Sequence, residues 1–358
     1  MNILILTGHF GMGHYSAAES IQQEITRMNP EAHVYIVDII EYMFPKSSTV
    51  IYASFNFMVN KCASIYNCLN EIACRHSNIT LKKSVVKKVH QLLSEYQADL
   101  VISTLPVSSQ YISAYKEKVG TSIPLYTYIT DITAHEEWIT PHTDIYFVGA
   151  TITKNILISK GVYEDKIRVS GIPVREDFHK EVLKTHTGIK RRKEVLIMGG
   201  GLGLIPSYHK FLTKLCRNKS LHITVITGKN KALFLKMKKD FPAINVVGYT
   251  DKVAEYMRRA DLVITKSGGS TTFEAIYCRT PLYIIKPFLM QEIGNAEYIE
   301  QKNIGRIVWS DKKDVYEDIM DLLNNDALLE QMEVNMANIK LEWDCLCPSH
   351  YFGKKEVA

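Results

Sequence analysis

The sequence predicts two doubly wound α/β domains in tandem, and three observations predict them. At 358 residues the chain exceeds one ordinary domain of about 100–200 residues. It begins twice: NILILTGHFGMGH over 2–14 and EVLIMGGGLG over 194–203 each read as a buried strand running into a glycine-rich loop. After each beginning, short apolar runs alternate with helical patterns, as a parallel sheet with helical crossovers requires.

The elements follow in order. Behind the first glycine loop a helical pattern fills 15–29, and HVYIVD over 33–38 is the next strand. A helical pattern over 80–96 precedes the apolar run Ala98 to Thr104, which is echoed by Ala260 to Lys266. Strands are expected at 124–130 and 144–149. The segment 172–193, with Pro173 and the basic run Lys190-Arg191-Arg192-Lys193, reads as the domain boundary. Beyond it, strands at 221–227, 244–248, 281–285 and 306–309 alternate with helical patterns at 208–218, 230–240, 251–259, 270–279, 294–302, 314–324 and 326–342. The expected domains are therefore 1–172 and 173–342, followed by a basic tail over 343–358. Ligands of such folds bind beyond the carboxyl ends of the strands, so two facing domains are expected to enclose a cleft.

Composition narrows the function classes. Hydrophobic residues make up 46% and charged residues 23%, which excludes a disordered or collagen-like chain. Lys and Arg number 43 against 38 Asp and Glu, and the resulting +5 is too mild for a dedicated nucleic-acid binder but does not oppose contact with an anionic membrane. Seven scattered cysteines read as reduced thiols rather than a disulfide framework. Cys345 and Cys347 lack partners at zinc spacing, and no metal is expected. The apolar start Ile3 to Leu6 is too short for a secretory signal, and the apolar-leaning run Ser47 to Asn60 is shorter than the ~20 residues of a membrane span. A cytosolic protein, or one lying on the membrane surface, is expected.

The glycine loops carry the chemistry. Gly11-Met12-Gly13-His14-Tyr15-Ser16 opens the first helix, where free amides and the helix dipole favour an anion. It approaches a dinucleotide fingerprint, with Asp38 ending the second strand, but Ser16 replaces the third glycine, so a nicotinamide enzyme is a weak match. His14 is suited to general-base work because imidazole titrates near working pH; the bland alternative is a helix cap or packing on Tyr15. In the second domain, Lys266-Ser267-Gly268-Gly269-Ser270-Thr271-Thr272-Phe273-Glu274 runs from a strand end into a helix. Its glycines and hydroxyls suit a diphosphate cradle without a Walker lysine, and Glu274 could accept bonds from ribose hydroxyls. The alternative is a capping box with Thr271 as N-cap and Glu274 three residues on.

Gly11 to Ala18 resembles the N-terminal signature of the monogalactosyldiacylglycerol synthase and processive diacylglycerol glucosyltransferase group, within glycosyltransferase family 28. The resemblance continues through Gly171-Ile172-Pro173-Val174-Arg175, Met198 to Gly201, Thr227 to Asn230, Val247 to Tyr249, Lys266 to Ala275 and Pro287 to Ala296. It implies a GT-B fold and an inverting transfer of a hexose from a UDP-sugar to diacylglycerol, with no cofactor. By similarity, Gly248 and Tyr249 read uracil, Glu274 the ribose, and Gly268, Gly269, Ser270 and Thr271 the diphosphate. The loops of Gly200, Gly201 and Gly228 lie beneath it, Gln291 and Glu292 bond the sugar, and Asn295 positions the phosphate–sugar junction. His14 would take the acceptor proton, with Asp131 orienting it or sharing the role; a turn cap is the alternative for Asp131. Plant members carry an Asp-Thr pair where this chain has His9-Phe10, so that carboxylate is absent or relocated. No Asp-x-Asp triplet occurs, in keeping with metal independence.

A lipid acceptor needs a membrane-docking segment, and 42–94 supplies aromatics, including Phe55 and Phe57, followed by Lys82, Lys83, Lys87 and Lys88. Core packing is the alternative for the aromatics and a solvated helix face for the lysines. Gly13, His135 and Trp138 are assigned to the acceptor side by the resemblance. The expected location is the cytoplasmic face of the membrane. Two alternatives stay open: a family 28 transferase with a polyprenyl-linked or soluble acceptor, and a non-catalytic nucleotide-sugar sensor.

Overall fold

The computed structural model describes residues 1–61, 83–180, 192–200, 208–287, 289–310 and 314–344, and of 56–61 and 208–210 only the backbone. Two compact units divide the chain: Met1–Glu176 together with the chain from Glu342 onward, and Asp177–Leu341.

The first unit is built on a parallel six-stranded sheet: β1 (Asn2–Thr7), β2 (His33–Asp38), β3 (Leu100–Ser103), β4 (Leu125–Tyr128), β5 (Ile145–Val148) and β6 (Ile167–Val169), in the order β2-β1-β3-β4-β5-β6. Register runs from Asn2↔His33 to Thr7↔Asp38 on one side of β1 and from Ile3↔Leu100 to Leu6↔Ser103 on the other. Helices cover both faces, so β1 is unbroken apolar from Ile3 to Leu6, and Leu4, Ile5 and Leu6 are fully buried. Each such side chain contributes about 1.5–3 kcal/mol of transfer free energy. Leu4 and Leu6 pack with Val89, Leu92 and Leu93 of the amphipathic helix Lys83–Glu95, whereas Ile3 and Ile5 pack with Ala18, Ile21 and Ile25 of helix Gly13–Met28.

The second unit repeats the architecture with another strand order. Its strands are β7 (Lys193–Met198), β8 (Leu221–Ile226), β9 (Asn245–Val247), β10 (Leu262–Thr265), β11 (Leu282–Ile285) and β12 (Gly305–Val308), arranged β12-β11-β10-β7-β8-β9. Val263 and Ile264 of β10 are fully buried, between β7 and β11.

The chain then returns to the first unit. Trp343 packs on Gly171, where an added Cβ would lie 2.7 Å from the indole, and Asp344 exchanges backbone and side-chain bonds of 2.8 Å with Val169. Gly171 also holds a φ of +77°, so the glycine of its Gly-Ile-Pro-Val run is needed for conformation and for close approach.

Among the described residues, helices Ile39–Met43, Pro106–Val119 and Thr151–Ser159 have no counterpart in the sequence reading. Pro106–Val119 starts on a proline and carries serines along its buried face, which masks the apolar stripe.

Candidate functional site in each unit

In both sheets the functional loops lie where the strand order reverses. Chain direction switches between β1 and β3 in the first unit and between β7 and β10 in the second. Loops leaving the carboxyl ends at such a point diverge and open a crevice.

In the first unit, Gly11 (φ +77°) turns the chain from β1 into helix Gly13–Met28, with Gly13 its first residue. His14 follows, half-buried, and makes no helix-capping bond; Met12 is the N-cap. The backbone carbonyl of His14 accepts from Thr104 Oγ1 at 3.1 Å, beyond the end of β3. Its Nδ1 lies 2.8 Å from Thr130 Oγ1, just past β4, and its ring centroid is 6.1 Å from that of Trp138. Burial pushes the imidazole pKa below its ordinary value, opposed first by the Asp131 carboxylate and then by a hydrogen bond of the ring to the Thr104 backbone. A neutral ring at neutral pH results, able to take a proton.

Trp138 is only 1% exposed, a buried side chain beside His14. His135, three residues earlier, keeps its Nε2 buried without a hydrogen-bond partner. Burial raises the pKa of the neighbouring Glu137, against the pull of His135. Gln110 donates to the Glu137 carbonyl at 2.9 Å and ties this segment to helix Pro106–Val119.

A second imidazole, missed in the sequence, sits at the start of the same loop. His9 Nδ1 lies 2.7 Å from Asp38 Oδ2, and the ring stacks on Tyr15 with centroids 4.5 Å apart. Asp38 also accepts from the amides of Ile40 and Glu41 and from the Tyr52 hydroxyl. A carboxylate oxygen accepts, so His9 Nδ1 is the donor in this pair. Glu41 completes a His9–Asp38–Glu41 group of metal-ligating type, but the Asp38 oxygens already serve four donors. The missed signal is the pairing of Asp38 at a strand end with a histidine just past the neighbouring strand.

Of the expected docking segment, Tyr42, Met43, Ile51 and Tyr52 pack into the core, and Phe55 sits on Phe10 with centroids 4.9 Å apart. Phe44 and Val50 are exposed, as are Lys83, Lys87 and Lys88 on helix Lys83–Glu95. Lys82 and the side chain of Phe57 lie outside the described residues. No helix among the described residues is long and apolar enough to cross a membrane.

In the second unit, β7 leads to Gly200 (φ +69°), and Gly201 lies outside the described residues. β10 leads through Lys266 and Ser267 into helix Gly269–Cys278, whose N-cap is Gly268. Thr271 therefore lies inside the helix, and the capping box with Glu274 does not form: the glycines let the helix start three residues earlier. Ser270, Thr271 and Glu274 are half-buried on the first turns of this helix.

Helix Met290–Gln301 carries Gln291, half-buried, and Glu292 and Asn295, both buried. Asn295 Nδ2 donates to the Ser267 carbonyl at 2.9 Å, and Ser267 Oγ donates to the Glu292 carbonyl at 2.6 Å. Asn295 thus fixes the turn after β10. Glu292 Oε1 meets Lys266 Nζ at 3.2 Å, and Glu292 Oε2 has no hydrogen-bond partner. Gly228 (φ +57°) and Gly248 follow β8 and β9, whose ends are joined by Thr227 N and Oγ1, both donating to the Val247 carbonyl. Tyr249 is exposed, with Lys229 Nζ 5.5 Å from its ring centroid.

Comparison with known proteins agrees with this architecture. Two solved structures share the fold at 12% identity: the A. baumannii MurG structure, with a TM-score of 0.61 over 98% of this chain and 97% of that one, and the S. aureus MnaA–UDP co-structure, with 0.60 over 93% and 90%. Fold and paired switch-point loops define the class as GT-B. Residues 14–174 match the monogalactosyldiacylglycerol (MGDG) synthase model and residues 195–342 the glycosyltransferase family 28 C-terminal domain. A processive diacylglycerol β-glucosyltransferase of Bacillus cereus (strain B4264) is 31% identical over 95% of this chain and 90% of its own length. The chain belongs to the diacylglycerol glycosyltransferase group of family 28.

Proposed function

We propose that the protein transfers a hexose from a UDP-sugar to the hydroxyl of diacylglycerol, with inversion at the anomeric carbon, on the cytoplasmic face of a membrane. The observation that carries the reading is His14: a neutral imidazole on the glycine loop of the first unit, backed by Asp131. As base it takes the acceptor proton while the acceptor oxygen attacks, a role worth about 10²–10⁴-fold. Asp131 stabilises the imidazolium that forms.

On the donor side, the Gly268–Thr271 helix start takes the diphosphate, where amides and dipole favour negative charge. Gly200 and Gly228 leave room beneath it, Gly248 and Tyr249 take uracil, and Glu274 takes the ribose. Gln291 and Glu292 bond the sugar hydroxyls. The exposed Lys83, Lys87 and Lys88, with Phe44 and Val50, provide the basic and apolar character that an anionic lipid surface attracts.

The test is UDP release from UDP-glucose and UDP-galactose, with and without diacylglycerol in anionic vesicles, beside His14→Ala. Lipid-dependent release that disappears in the variant is the expected result. Release indifferent to diacylglycerol points to another acceptor, and UDP binding without turnover points to a sensor.

A further inference from the structure

A cavity of about 580 Å³ lies at the edge of the second sheet, on β12, with β11 between that strand and β10. Small-molecule sites span about 300–1,000 Å³, so its size suits one ligand. Its lining includes Glu300, Asn303, Arg306, Trp309, Asp318 and Met332, and none of the switch-point loops.

The polar groups of this cavity are held in place by the protein itself. Arg306 Nη1 donates to the Asp318 carbonyl at 3.1 Å and to Asp318 Oδ1 at 3.2 Å, and the buried Tyr283 hydroxyl donates to Asp318 Oδ2 at 3.0 Å. Asn335 Nδ2 donates to the Asn303 carbonyl at 2.9 Å, and Asn303 holds a φ of +49°. Trp309 Nε1 donates to Glu300 Oε1 at 3.1 Å, which fixes the indole by its polar edge and satisfies its one donor. Trp309 is 44% exposed, whereas the other two tryptophans, Trp138 and Trp343, are 1% and 8% exposed.

The charges select the class of ligand. Arg306 is answered by Asp318, and Glu300 adds a second carboxylate, so the lining disfavours an anion. Bonds among the described residues leave Arg306 Nε and Nη2 to donate and Glu300 Oε2 to accept. An acyl chain would strip these groups of water without replacing its bonds. A neutral polyhydroxy ring uses all of them: its hydroxyls both donate and accept, and its C–H face brings partial positive charge to the negative face of the indole.

We propose that this cavity is a carbohydrate site, separate from the donor loops, which takes a hexose ring against Trp309 with its hydroxyls bonded by Arg306 and Glu300. The proposal does not depend on the UDP-sugar reading above. Soluble glycosides and glycolipid head groups present the same ring, and separate titrations tell them apart.

The experiment is tryptophan emission of the full chain, for wild type, Trp309→Phe and Glu300→Gln. The titrants are methyl β-glucoside, methyl β-galactoside, inorganic phosphate, and phosphatidylcholine vesicles with or without a diacylglycerol β-glucoside. A saturable change with a glycoside or with the glucoside-bearing vesicles is expected, because Trp309 is the indole open to solvent. Trp309→Phe is expected to lose that change, and Glu300→Gln to weaken the affinity ~10-fold through loss of a charged acceptor. Both positions are exposed, so both variants are expected to keep the wild-type melting temperature. A response to the soluble glycosides supports a free sugar as the ligand, and one confined to the glucoside-bearing vesicles supports a head group. No saturable change with any sugar overturns the proposal, as does a change that survives in Trp309→Phe or an affinity unaltered in Glu300→Gln. An equal response to phosphate, or to vesicles lacking the glucoside, overturns it too. UDP release that fails while the emission change persists would remove the UDP-sugar reading and leave this site standing.

Discussion

Replacing Asp131 by Asn is expected to move the acid limb of the pH–rate profile to lower pH. His14 titrates below the ordinary imidazole value of ~6.5 because burial penalises its charged form, and Asp131 is the larger of the two groups opposing that penalty. Removing the carboxylate leaves desolvation less opposed, so the pKa of His14 falls further. An opposite charge nearby favours the charged ring, so its removal is expected to move the limb down and never up. The assay is kcat/KM for UDP release from about pH 4.5 to 8 in wild type and Asp131→Asn. As pH falls, activity is expected to be lost on protonation of His14, at a lower pH in the variant, with a reduced plateau because the imidazolium has lost its counter-charge. An acid limb that stays put or moves up would refute the coupling. Activity abolished at every pH would instead make Asp131 the base. The same shift predicts a stability slope. A depressed folded pKa means that stability is full above ~6.5 and is lost as pH falls from there through the folded value; thermal melts of His14→Gln are expected to lack that part of the slope.

Asp38→Ala removes the acceptor of His9, Tyr52 and two amides at once, and a loss of about 2–4 kcal/mol in urea unfolding is expected from a lost cap plus stranded donors. Gly171→Ala places a Cβ 2.7 Å from Trp343 at a φ of +77° and is expected to cost about 1–3 kcal/mol; Trp343→Ala in the same chain relieves the clash but not the backbone strain, so the two changes are expected to couple in a double-mutant cycle. Lys83→Glu with Lys87→Glu reverses two exposed charges on helix Lys83–Glu95 and is expected to weaken sedimentation with anionic vesicles without changing melting temperature.

Much of the fold was legible because buried parallel strands are short unbroken apolar runs, and the repeated ADLVI motif marks β3 and β10, each paired directly to the first strand of its unit. The glycine loops were legible for the same reason: they follow the central strands. What stayed hidden depends on contacts between distant residues. Nothing local shows that Asp38 holds His9, 29 positions away, or that Glu292 holds Lys266, 26 positions away. Thr271 looked like an N-cap because its spacing to Glu274 fits one, yet two glycines allowed the helix to begin before it. The aromatic stretch after Met43 read as a lipid-facing surface, but Tyr52 is drawn inward by Asp38 and Phe55 by Phe10, so partner chemistry decided the orientation.

The two glycine loops share a topological origin and differ in the charge they are built to handle. In the first unit the groups at the β1–β3 switch point are a ring that burial keeps neutral, a carboxylate beside it and threonine hydroxyls. Such a set is suited to receiving a proton, because the positive charge arrives only when the acceptor has been deprotonated. In the second unit the β7–β10 switch point offers amides, hydroxyls and a lysine held by a buried carboxylate. That set is suited to negative charge of the kind the proposed donor diphosphate would bring. A displacement in which an alcohol loses a proton and UDP departs creates these two charges together. On the proposed reading the imidazole serves the acceptor in the first unit and the helix start of the second serves the donor, because a neutral base suits a proton that arrives and free amides suit a charge that grows.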